Sequence, residues 1–208
     1  MRHHLSTVLV AGLLMLTVAC GGHNEPATAT VDAAPDPQRA PAELRWEPYQ
    51  GVELPVSSVD GPAKIAAAAT GYSHTPQGAA LAAIQHSTRL SLAPDGSWAA
   101  VAAASVVSGP GKDAWVLARA RISITGPATA ALVPTLLGYR ITSYQPERVA
   151  VTVYARYPDD SLAAFHQTVA WVGGDWRLDL SAPSESNTAP VEAISVIPAD
   201  LVTLEAHS

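Results

Sequence analysis

Between Tyr139 and Leu180 the chain alternates apolar and polar residues in four successive runs, with a turn signal between neighbouring runs. A period of two sends successive side chains to opposite faces of an extended strand. "GYRITSYQ" sets Tyr139, Ile141 and Ser143 against Arg140, Thr142 and Tyr144, and Pro146-Glu147 turns the chain. "RVAVTVYARY" sets Val149, Val151, Val153 and Ala155 against Ala150, Thr152, Tyr154 and Arg156, before Pro158-Asp159-Asp160. "LAAFHQTVAWV" puts Phe165, Gln167, Val169 and Trp171 on one face and His166, Thr168 and Ala170 on the other. Gly173-Gly174 supplies the positive φ of a tight hairpin, and "DWRLDL" returns with Trp176, Leu178 and Leu180 aligned. Runs joined this closely predict an antiparallel meander of about four strands.

Upstream the period changes. In "GYSHTPQGAALAAIQHSTRL", Thr75 is a helix cap and Pro76 suits the first helical position, where its missing N–H costs nothing. Ala79, Ala80, Leu81, Ala83 and Ile84 give a small-residue face able to lie close against a sheet. Pro94-Asp95-Gly96 ends the helix, and Trp98 to Val107 predicts a second, short one. Gly109-Pro110-Gly111 breaks the chain, and residues 113–124 lean to a further helix, with a strand as the alternative because Val116, Ala118, Ala120, Ile122 and Ile124 alternate. The apolar segment "ATAALVPTLLG" is interrupted by Pro134. Val52 to Ala69, with Leu54-Pro55 and Gly61-Pro62, reads as irregular chain wrapping the domain edge. After a polar loop from Ser181 to Pro190, "VEAISVIPADLVTLEA" packs back as an edge strand or short helix. Helices first and sheet later is an α+β order.

The amino-terminal part gives an address. Arg2 precedes an apolar run from Leu5 to Ala19, shorter than the ~20 residues a spanning helix needs. Ala19-Cys20, a small residue before the only cysteine, is where a bacterial lipoprotein signal is cleaved and lipidated. Thr17 stands where leucine is usual, beside Leu16. The expectation is a signal peptide over 1–19, lipidation at Cys20 and an anchor at the outer face of the cell membrane. Residues 20–45, rich in Pro, Ala, Thr and Asp, read as a disordered stalk, and 46–208 as one domain. One cysteine allows no internal disulfide, so the core alone must hold that domain.

Formal net charge is −6, only 14% of residues are charged, and no basic run appears. That leaves nucleic acid without the lysine and arginine cluster that displaces counterions. His74, His86 and His166 lack HxxxH or HExxH spacing, and His23 falls in the stalk, so no metal site is expected. "SGPGKD" fails as a phosphate loop at Val106 and Asp113. Asp113, Tyr139 and Asp175 are the candidates for an acid–base site. The simpler readings put Asp113 at a helix start and Asp175 in an exposed turn. Trp98, Trp115, Trp171 and Trp176 read as core rather than a ligand cage. No catalytic residue and no cofactor are expected.

"YQGVELPVSSVDGP", "GYSHTPQGAALAAI", "GYRITSY" and "GDWRLDL" together resemble an uncharacterised family of exported actinobacterial domains over about residues 46–181. Its members are often lipoproteins, and several are associated with conjugative elements. The most specific piece is Gly71 to Ala79. The family's Gly-rich, Trp-containing stretch after the last strand is replaced here by Ser181 to Pro190. The order of elements is also similar to the nuclear-transport-factor-like cones of type IV secretion and conjugation proteins. The resemblance implies a lipid-anchored, non-catalytic scaffold with envelope protein partners. The alternatives are a ligand-binding lipoprotein using the cone's cavity and an isomerase-like enzyme.

Overall fold

The computed structural model describes residues 34–182 and 189–204. The fold is α+β. The strands are β1 (Leu44–Tyr49), β2 (Val52–Ser57), β3 (Lys64–Ile65), β4 (Ala69–Thr70), β5 (Thr135–Gln145), β6 (Arg148–Arg156), β7 (Leu162–Val172), β8 (Asp175–Leu178), β9 (Val191–Ile194) and β10 (Val202–Thr203). The helices are α1 (Pro76–Leu92), α2 (Trp98–Ser105) and α3 (Pro110–Arg119). The main sheet is antiparallel, in the order β10-β5-β6-β7-β8. β9 shares an edge of β7 with β8: β8 pairs with residues 169–172 and β9 with 162–165.

The meander is therefore present, with β10 and β9 extending it to six strands rather than about four. The added strands run for two and four residues, and each finds its partner far back in the sequence. The tail does pack back as edge strands. Gly173 and Gly174, at φ +65° and +81°, make the β7–β8 turn.

β1 and β2 correct the reading of Val52 to Ala69 as irregular: they form a hairpin paired from Leu44↔Ser57 to Tyr49↔Val52. Pro48 and Pro55 hide it from sequence rules, because proline cannot donate within a ladder. In a two-stranded sheet each strand has a free side, so the missing N–H can face away. The body also begins earlier than residue 46. Pro41 is buried, and residues 36–42 bond to α1 and to the β2–β3 connection. Residues 34–45, read as the end of the stalk, belong to the body, whereas 1–33 lie outside the described residues.

Thr75 caps α1, accepting a hydrogen bond from the Gly78 N–H at 3.1 Å, with Pro76 in the first turn. Every residue from Pro76 to His86 is buried. The alanines let this helix press onto β5–β8 while Leu81, Ile84, Trp176 and Leu178 fill the space between. Each large side chain so buried contributes ~1.5–3 kcal/mol. α3 starts at Pro110 and ends at Arg119, so the helix expected over 113–124 is shifted back, and residues 122–124 are irregular. Pro110 sits in its first turn, where the glycines beside it suggested only a break.

Candidate functional site

The segment Gly71 to Ala79 enters α1, and nearly every residue in it is committed to another part of the fold. The Asp175 carboxylate accepts from the N–H groups of Gly71 and Tyr72 at 2.8 and 3.0 Å. The Trp176 indole N–H donates to the Ser73 carbonyl at 2.9 Å. His74 is exposed, yet its ring stacks on Trp171 with centroids 4.1 Å apart, and its Nε2 lies 2.6 Å from the Pro146 carbonyl. Tyr72 meets His86 edge to face, 5.3 Å between centroids. Gly78 has no room for a Cβ, because the Ser73 carbonyl occupies that position.

Two buried polar groups follow along α1. His86 Nε2 donates to the Trp176 carbonyl at 2.9 Å, which leaves Nδ1 as a bare lone pair with no partner. Burial pushes this imidazole down to about 4, so it is neutral at physiological pH. One turn on, Arg89 donates to Gln85 Oε1 at 2.8 Å and covers the Tyr49 ring at 4.2 Å. Gln85 in turn donates to the Pro55 carbonyl, tying α1 to the hairpin.

The acid–base candidates have separate duties. Asp113 is exposed in the first turn of α3. Asp175 is no exposed turn residue: it brackets the head of α1 to β8. Tyr139 is fully buried in β5, and burial, with Asp60 adding to it, holds its hydroxyl in the protonated form. Trp176 is core, whereas Trp98, Trp115 and Trp171 pack against the core from a half-buried position. Cys20, Ala19 and His23 lie outside the described residues.

A hydroxyl–imidazole–carboxylate chain has no signature in the sequence. His166 Nε2 faces Glu192 Oε2 at 3.4 Å, and Nδ1 faces the Thr152 hydroxyl at 3.2 Å. The β6–β7 and β7–β9 registers create it, and no spacing along the chain announces it. That order resembles a nucleophilic relay. Thr152, however, is 4% exposed between paired strands, a position with little access for a substrate. The chain works as a cross-strand tie.

Asp60 carries the densest network. It is 1% exposed, and its carboxylate binds the Arg39 guanidinium at 3.3 Å and the Ala42 N–H at 3.0 Å. The hydroxyls of Ser73 and Thr75 approach it at 3.4 Å. Beside it a solvent-open depression of about 630 Å³ is lined by Glu43, Arg45, Ser58 and Ala63 among others. Among the described residues no group of three or more His, Cys, Asp or Glu could hold a metal, and no helix is long and apolar enough to cross a membrane.

A family described as a domain of unknown function (DUF8175) matches residues 19–196. No curated protein and no solved structure matches the chain.

Proposed function

Starting from a chain that belongs to the DUF8175 family, we propose that it is a lipid-anchored exported protein whose body is a non-catalytic scaffold at the cell envelope. The observation that carries this reading is the apolar packing under α1. Trp176, Ile84 and Leu81 are buried between α1 and the sheet, where a ligand cup of the nuclear-transport-factor-like kind would lie, while Trp171 packs half-buried against His74. The Ser73 and Thr75 hydroxyls turn to Asp60 and the His74 ring to the Pro146 carbonyl, so these polar side chains tie the segment to other parts of the fold. Both facts support assembly over small-molecule binding and over isomerase chemistry. The address rests on the signal-like run and on Cys20, and the matched family stretch opens at Ala19, one residue before it. The partners are proteins of the envelope, conjugation machinery among them, and nucleic acid is not one.

Mass spectrometry of the mature amino terminus tests the anchor. The expected species begins at Cys20 with its lipid mass, and Cys20→Ala releases the protein into the soluble fraction. Unchanged membrane retention of the variant defeats the anchor. Native mass spectrometry of the purified Cys20→Ala chain tests the scaffold: protein mass alone is expected, and a stoichiometric co-purifying small molecule overturns that part.

A further inference from the structure

Residues 36–42 are held as a bound peptide is held. Gln77, 1% exposed, donates from its amide to the carbonyls of Asp36 and Arg39, both at 2.8 Å, and accepts from Arg39 Nη2 at 2.9 Å. The Ser57 hydroxyl donates to the Ala42 carbonyl at 2.5 Å, and Asp60 takes the Ala42 N–H. Pro41 is buried. Groove side chains thus bond the segment's backbone, and Asp60 pairs with the half-exposed Arg39 guanidinium. No strand ladder joins this segment to a sheet, and it meets β1 through Glu43, whose φ is +48°. A residue with a Cβ is unfavourable in that left-handed region.

We propose that the Asp60–Gln77–Ser57 groove is a recognition site for this arginine-bearing segment, and that segments 36–42 of two copies exchange across a dimer. The inference rests on the assembly reading above and names the partner: a second copy of this chain. The groove is costly to leave empty, because the buried Asp60 carboxylate would lose its guanidinium and one N–H donor and the buried Gln77 amide would lose three bonds. When the segment leaves, another takes its place. The groove bonds are the same in either arrangement, so hinge and concentration decide between them. Straightening Glu43 relieves its left-handed conformation, and copies anchored to one membrane meet at high local concentration.

The full mature chain carrying Cys20→Ala is unfolded, refolded at low and at roughly hundred-fold higher concentration, and weighed by native mass spectrometry. The expected dimer-to-monomer ratio rises at least ~10-fold with concentration. In the same background, Arg39→Asp alone and Asp60→Arg alone are expected to be monomers. Their equimolar mixture is expected to form a heterodimer, in which each segment meets a groove of opposite charge. A monomer at every concentration in the wild-type sequence overturns the proposal. So does a monomeric mixture of two folded variants, or a dimer that persists in Arg39→Asp alone. Where a variant loses its circular dichroism, the refolding of the unaltered groove decides. Failure here leaves the anchor and the scaffold standing, since those are read from the amino-terminal mass and the absence of a bound small molecule.

Discussion

His86 shows how one side chain makes the fold sensitive to acid. In the unfolded chain an imidazole takes its proton near pH 6.5, and in the folded chain near 4. Between those values the unfolded state binds more protons, so stability rises with pH and is complete above about 6.5. The loss on acidification to pH 4 reaches about 3 kcal/mol for this group. Urea titrations at pH 7 and pH 4.5 are expected to show it, and His86→Phe, weaker at pH 7, is expected to lose that part of the pH slope. Gly78 makes a steric prediction. Gly78→Ala drives a methyl into the Ser73 carbonyl and is expected to cost about 2–3 kcal/mol in urea unfolding. Gly96→Ala, with nothing within 4 Å of the new carbon, is expected to stay within about 0.5 kcal/mol of the parent.

At the scale of elements, α1 is legible because its start is written locally. Thr75, Pro76 and the alanine run act on their own neighbours, and the structure uses them as expected. The β1–β2 hairpin is illegible because its two prolines argue against strands unless one knows that each strand has a free side. The joint between α1 and β8 is intermediate. Asp175 follows a glycine pair and reads as a turn residue, yet it holds two N–H groups more than a hundred positions away. Asp175→Ala leaves those donors to find water and is expected to cost about 2 kcal/mol. Hydrogen exchange at Gly71 and Tyr72 is expected to accelerate while exchange in the middle of β6 keeps its rate. Equal acceleration everywhere would mean that the carboxylate supports the whole fold rather than this joint.

Among the described residues, the carboxy-terminal strands β9 and β10 extend the main sheet at its edges. β10 pairs with β5 at Gly138 and Tyr139, and Val202 and Leu204 are buried there. Ending the chain after Ile194 removes both and is expected to cost about 3–6 kcal/mol, read as a lower urea midpoint. An unchanged midpoint would show that these residues cover the sheet without stabilising it. The acidic balance and the missing basic run act at this scale too, because they set what the whole surface attracts rather than how any part folds.

The sequence by itself determined what depends on near neighbours: the Thr75 cap of α1, the alternation of the four meander strands, the glycine hairpin and the α+β order. The tertiary structure alone decided which polar groups meet. Asp60 with Arg39, His86 with Trp176, and Thr152 with His166 are joined by loop packing, helix placement and strand register in turn, and no spacing along the chain encodes those distances. Local periodicity survives in a string of letters because it repeats every two or 3.6 residues. A buried pairing does not, because its energy exists only after water has been removed from both partners at once.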